Sequence, residues 1–177
     1  DQFRCPYLND RADEYGGATR ARWRFLLETV EAVADTVGKA KVGVRISPLG
    51  TAHEMQFDPA PLFAYGYLAC QLDRLGIGYL HVYDQSGSWM HDPQSDLLQH
   101  LRACFSQTLI LCGGFDRARA EAALRADCGD LIAFGKHFIA NPDLVQRLRI
   151  GAPLAPWDPA TIYKGGARGY VDYPTLE

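Results

Sequence analysis

Apolar residues along this chain follow two periods, one helical and one strand-like, and the two take turns. Residues 1–19 are polar and turn-rich and close on Gly16-Gly17. In RARWRFLLETVEAVADTV (20–37), Trp23, Leu26, Leu27, Val30, Val33 and Val37 recur at helical spacing, and Gly38 offers a stop. KVGVRISP (41–48) is a β-branched run ended by Pro48, which predicts a strand. PAPLFAYGYLACQLDRLG (59–76) predicts an amphipathic helix opened by proline and closed by Gly76. The pairing then returns. YLHVYD (79–84) predicts a strand with a helix near 93–105. LILCGG (109–114) predicts another, followed by a helix at 115–127 that Asp116 is placed to cap. DLIAFGKHFI (130–139) contains a fourth strand, and a helix at 141–151 takes Asn141 as its cap with Pro142 at the first helical position.

Short, buried-looking strands alternating with helices imply a parallel α/β architecture. No linker or low-complexity segment interrupts residues 1–177, so a single domain is expected. The net charge is −3 with acids and bases interspersed, and no basic stripe points to nucleic acid. The longest apolar runs, such as LIAF at 131–134, fall far short of the ~20 residues a membrane span needs. Neither partner is expected. Five cysteines without C-x-x-C spacing suit reduced thiols in a cytoplasmic protein, and the histidines lack metal-ligand spacing. The chain opens on Asp1 and a loop-like stretch, which reads as a piece of something longer.

Candidate chemistry collects at the C-terminal ends of the predicted strands, where parallel α/β folds bind ligands. The third strand ends in Gly113-Gly114 and the fourth in Gly135-Lys136, each followed by a helix. Glycine lets backbone N–H groups approach an anion, the helix N-terminus adds favourable potential, and Lys136 adds charge. Two such turns in succession point to phosphate; one alone would be no more than a tight βα turn. Arg45 stands inside an apolar strand, where a guanidinium needs a partner. Two readings stay open for it: contact with an electron-rich cofactor, or a structural ion pair with an acid elsewhere.

NDRADEYGG (9–17) followed by RARWRF (20–25) closely resembles the N-x-R-x-D-x-Y-G-G…R-x-R-F signature of the Old Yellow Enzyme family. KVGVRISP, FGKHFIANPDLVQRL and the final GYVDYPTLE resemble further segments of that family, in its order and spacing. The resemblance implies a TIM (β/α)8 barrel, of which this chain supplies about the last four β/α units, a half barrel. It implies FMN as cofactor and NAD(P)H as reductant. The implied reaction reduces activated C=C bonds in α,β-unsaturated carbonyls, and nitro compounds. By the same resemblance Arg45 lies at the flavin pyrimidine edge, Gly113, Gly114, Gly135 and Lys136 hold the FMN phosphate, and Phe138 and Tyr163 lie near the flavin. For Phe138 and Tyr163 the bland alternative is core packing.

The chain departs from the family pattern at three of these positions. Lys136 stands where arginine is usual, which keeps the charge and loses the two-pronged fork. Gly114 replaces a residue that commonly bears a side chain, and Ala21 stands where asparagine is usual. Arg22 and Arg24 remain and are expected on a solvated helix face. The family's carbonyl-binding pair and proton-donating tyrosine are expected upstream of Asp1, so no catalytic residue is assigned within the chain. His81 is expected in the core or lining the barrel, and His137 beside Lys136. The loops at 49–58 and 84–93, with Gln56, Asp84, Gln85 and Trp89, are expected near the substrate without naming it. Four strand–helix pairs would leave two sheet edges and an apolar face open. The N-terminal half of the barrel, or a second copy, is the expected partner. The alternative is a non-catalytic half barrel that self-associates and binds FMN or phosphate weakly. A different barrel enzyme with a phosphorylated substrate would share the nest but not the motifs.

Overall fold

The computed structural model describes residues 1–52, 54–85, 90, 92 and 95–176, and the chain divides into two compact units, Asp1–Ala133 and Phe134–Glu177. His53, Trp89 and His91 lie outside the described residues.

In the first unit, helix α1 (Thr19–Val37) leads through a 3-10 turn (Lys39–Lys41) to strand β1 (Gly43–Ile46). Helix α2 (Pro61–Leu75), strand β2 (Tyr79–Tyr83), helix α3 (Asp96–Cys104), strand β3 (Thr108–Cys112), helix α4 (Arg117–Arg125) and strand β4 (Leu131–Ala133) follow. The strands form one sheet in the order β1-β2-β3-β4, every pair parallel. Among the described residues β1 and β4 are its free edges.

Strand alternation divides the sheet into two faces. Val44, Ile46, Leu80, Val82, Leu109 and Leu111 are buried, and with them Ala64, Tyr65, Leu68, Ala69 and Leu72 of α2 and Leu97, Leu98 and Leu101 of α3. This helix-covered face is the core. The opposite face carries Arg45, Tyr79, His81, Tyr83, Ile110 and Cys112, none of them fully buried. Gly43 belongs to it for a steric reason: a Cβ there would lie 2.1 Å from the Tyr79 ring.

Helix ends close as the sequence implies. The N–H of Gly76, in the left-handed region at φ 72°, donates to Leu72 O (3.1 Å) and Asp73 O (2.9 Å). Asp116 caps α4 by accepting the Arg119 N–H at 2.8 Å. The helix expected over 20–37 is present. Val33 and Val37 are exposed, because α1 packs through its first half, where Trp23 meets Tyr65 edge-on at 5.5 Å. One expectation about this helix needs correction: Arg22 is buried, not solvated. Its Nε donates to Arg4 O (2.7 Å), its Nη1 to Gly17 O (2.5 Å), and its Nη2 to Asp58 Oδ2 (3.2 Å). Arg24 is exposed beside Glu28, as expected.

The second unit comprises helices α5 (Lys136–Ala140) and α6 (Leu144–Ile150) and a turn-rich tail. Asp143, not Asn141, occupies the N-cap position of α6, whose helix starts later than Pro142 suggests. Asn141 is fully buried and serves the tail instead. Its Nδ2 donates to His137 O (2.9 Å) and Ala155 O (3.2 Å), and its Oδ1 accepts the Ala155 N–H (2.7 Å). Arg147 pairs with Asp143 at 2.8 Å and donates to Pro153 O and Pro174 O, which holds the tail down. The Arg147 guanidinium, then the Leu176 N–H, hold the Asp143 carboxyl below its usual range.

Candidate functional site

The open sheet face in the first unit carries a cation, Arg45. Arg45 is in register with His81, which is in register with Ile110, and Ile110 with Leu131. The Arg45 guanidinium lies 4.5 Å from the centroid of the Tyr83 ring, a cation–π contact. Among the described residues no carboxylate pairs with it. Its neighbours respond to burial and to its charge. Burial first, and Arg45 second, push the His81 imidazole below its usual pKa, so at neutral pH the ring is uncharged. His81 Nε2 is buried without a hydrogen-bond partner. Burial raises the Cys112 thiol, with Arg45 opposing. The face therefore presents one fixed cation among neutral groups. A cleft of about 460 Å³ runs from Arg45 along β1 towards Arg4, Arg22 and Trp23.

At the end of β3, Gly113 has φ 141° and Gly114 φ 61°, both disfavoured for ordinary side chains. A Cβ on Gly113 would lie 2.4 Å from the Asp84 carbonyl oxygen, so the backbone there is pressed against the strand next door. Asp84 extends that strand contact, its N–H donating to Cys112 O at 2.7 Å, while its carboxylate accepts the Met90 N–H at 3.2 Å. The Gln85 side chain accepts the Thr51 and Ala52 N–H groups (2.8 and 3.1 Å), tying the loop after β1 to the loop after β2. Gln85 is thus a fastener of the rim.

In the second unit Gly135 precedes α5 with open space where a Cβ would stand. Lys136 Nζ lies 4.3 Å from the Trp157 ring centroid, and no acid pairs with it among the described residues. His137 Nδ1 is buried without a partner. Phe138 and Tyr163 are exposed (44% and 64%), and Tyr163 has φ 63° and meets Tyr170 edge-on at 6.4 Å. Neither belongs to the buried core of this chain. Arg45, Gly113 and Gly114 thus belong to one unit, and Gly135, Lys136, Phe138 and Tyr163 to the other.

Residues 1–155 match the NADH:flavin oxidoreductase / NADH oxidase family. The chain belongs to this family. It is 38% identical over 180 residues to 12-oxophytodienoate reductase 2 of Arabidopsis thaliana, covering all of this chain and 48% of that protein. A Leishmania infantum protein named as a probable flavin mononucleotide-dependent alkene reductase is 38% identical over 176 residues, covering 99% of this chain and 47% of its own length. Among solved structures, morphinone reductase in complex with tetrahydroNAD superposes with a TM-score of 0.91 at 41% identity, covering 99% of this chain and 47% of that one. The chain spans about half the length of the relatives it matches. The Old Yellow Enzyme resemblance read from the motifs is upheld, and the parallel α/β sheet accords with part of that family's barrel. Among the described residues no helix is long and apolar enough to cross a membrane.

Sequence reasoning did not pair two candidate residues with their neighbours: Arg45 with Tyr83 and His81 in the first unit, and Lys136 with Trp157 in the second. The alternation in YLHVYD does place Tyr79, His81 and Tyr83 on one face, but the parallel register that sets them against Arg45 needs the sheet. Nothing in the sequence pairs Trp157 with Lys136.

Proposed function

We propose that this chain is the flavin-holding half of an FMN-dependent NAD(P)H oxidoreductase that reduces activated C=C bonds in α,β-unsaturated carbonyls, and nitro compounds. The observation that carries the reading is Arg45, a cation on the open sheet face that lies against the Tyr83 ring and, among the described residues, has no carboxylate paired with it. Bound FMN supplies two-electron hydride chemistry to such a site. Arg45 offers its charge and N–H groups to the electron-rich pyrimidine edge, which favours the anionic reduced state. Gly113, Gly114 and Gly135 offer backbone N–H groups to the phosphate, and Lys136 a point charge beside them. Phe138 and Tyr163 present aromatic surface towards the flavin. Their exposure supports that role, since much of each ring surface is open within the chain.

In this reading both units act as one domain, the last four β/α units of a (β/α)8 barrel. The carbonyl-binding pair and the proton-donating tyrosine come from the other half, which also covers the free edges of β1 and β4. Five cysteines that form no disulfide support a cytoplasmic location.

Titration of the purified chain with FMN, followed by flavin fluorescence, tests this. Saturable one-to-one binding, weakened by Arg45→Ala and by Lys136→Ala and tightened by Lys136→Arg, is the expected result. A folded chain that binds no FMN, or binding indifferent to both alanine variants, would leave the site to the non-catalytic, self-associating reading. Turnover by these 177 residues alone would refute the assignment of the catalytic groups to the other half.

A further inference from the structure

Cys70 and Cys104 lie outside the site described above, on the helical side of the first unit. Cys70 is on α2 and Cys104 is the last residue of α3, two helices that pack together. Their contact has a register that two residue pairs reveal. The His100 ring occupies the room that Gly66 leaves: a Cβ at position 66 would lie 2.1 Å from His100 Nε2. One helical turn further along both helices, Cys70 faces Cys104 with the thiols in hydrogen-bonding reach. His100 Nε2 is 3.9 Å from Cys104 Sγ. Both thiols are half-buried and open on a cleft of about 440 Å³ shared with Phe63, Gln71 and Arg74. A small solute in that cleft reaches both. Cys5 and Cys128 are buried, and Cys112 lies on the open sheet face. Among the described residues no three His, Cys, Asp or Glu side chains converge as a metal site, so the chemistry of the pair is between its sulfurs.

We propose that Cys70 and Cys104 form a dithiol that hydrogen peroxide oxidises reversibly to a disulfide joining α2 to α3, with His100 as the proton acceptor. Burial first, then the neighbouring Cys70 sulfur, push the Cys104 thiol up to about 11, so Cys104 keeps its proton and acts second. Cys70 Sγ attacks one peroxide oxygen, the O–O bond breaks, and the departing hydroxide takes up the proton that the Cys70 thiol gives off and leaves as water, giving a sulfenic acid on Cys70. Cys104 then passes its proton to His100 and attacks the Cys70 sulfur, and the hydroxyl of the sulfenic acid takes that proton back from His100 and leaves as a second water. Two thiols and one hydrogen peroxide become one disulfide and two waters, and a thiol reductant reverses the step. Thiols already in hydrogen-bonding reach place the two sulfurs for such a bond. The inference does not depend on the flavin reading.

The test is a Cys112→Ser form of the chain, oxidised with stoichiometric hydrogen peroxide, blocked with a maleimide and digested with trypsin without reduction. Peptide 46–74, which carries Cys70, and peptide 103–117, which carries Cys104, should appear linked, and dithiothreitol should part them. Phenylarsine oxide, a bridge for two close thiols, should bind the unoxidised chain one to one and prevent the link. Cys70→Ser and Cys104→Ser should each abolish link and arsenical binding, and His100→Ala should slow linking roughly tenfold or more. Accessible thiols that never link, a link through Cys5 or Cys128, or Cys70 passing on to a sulfinic acid would overturn the proposal. So would an undiminished rate in His100→Ala for the role given to that residue. The arsenical arm uses no substitution at Cys70 or Cys104, so a misfolded serine variant cannot decide the outcome.

Discussion

Asp58→Ala tests how the motif arginine Arg22 holds the first unit together. The two side chains are almost wholly buried, Arg22 at 8% exposure and Asp58 at 2%. Arg22 spends its N–H groups on two backbone carbonyls, Thr19 and Asp58, while the other Asp58 oxygen accepts the Ala60 N–H at 2.9 Å, just before α2. Removing the carboxylate leaves a buried guanidinium without counter-charge and a helix-start amide without acceptor. Breaking such a pair costs about 3–5 kcal/mol. Each kcal/mol lowers Tm by about 2–4 °C at this chain size, so the drop should be roughly 6–20 °C. Urea denaturation followed by far-UV circular dichroism, with a thermal scan alongside, measures it. Arg22→Met combined with Asp58→Ala should recover at least half of the loss, because no lone charge is then left in the interior. Glu28→Ala, which breaks the exposed pair with Arg24, should leave the midpoint where it is. A loss below about 1 kcal/mol for Asp58→Ala would refute the reasoning, since that is how a solvated pair behaves. Additive losses in the double variant would refute it as well.

Gly113→Ala should cost about 1–3 kcal/mol from backbone strain at φ 141°, with the Asp84 carbonyl contact on top; an unchanged urea midpoint would mean the turn is free to relax. Arg45→Gln should raise the His81 pKa towards its ordinary value, read by NMR titration of the imidazole, and an unmoved titration would remove Arg45 as a cause. The sign follows from linkage. His81 titrates lower folded than unfolded, so its contribution to stability is complete above the unfolded value near ~6.5 and is lost as pH falls through the folded one. Arg45→Gln should therefore lessen that acid loss. Asn141→Ala should cost about 1–3 kcal/mol by stranding the Ala155 N–H in a buried setting, and hydrogen exchange in the tail should quicken; unaltered protection across 152–176 would count against it.

Local elements were legible where one residue type serves one local purpose. Gly76 closes α2 and Asp116 caps α4 because each acts on its own backbone within a turn or so. Asn141 misled for the complementary reason. A cap and a buried bridge ask for the same short amide, and only the position of Ala155, fourteen residues away, shows which use prevails. Arg22 misled likewise: an arginine in an amphipathic helix is ordinarily solvated, and the acceptors that bury this one come from residues 4, 17 and 58.

The sequence by itself determined the order of strands and helices, the parallel architecture, and the family to which its motifs belong. These follow from side-chain period, from glycine and proline punctuation and from residues close together in the chain. Only the tertiary structure decided which side chains share a face and what stands beside a charge. Parallel register set Arg45 against Tyr83 and His81, and helix packing set Cys70 against Cys104. Such pairings depend on distances across the sheet and between helices. A chain read residue by residue carries no record of those distances until burial of its apolar faces fixes them.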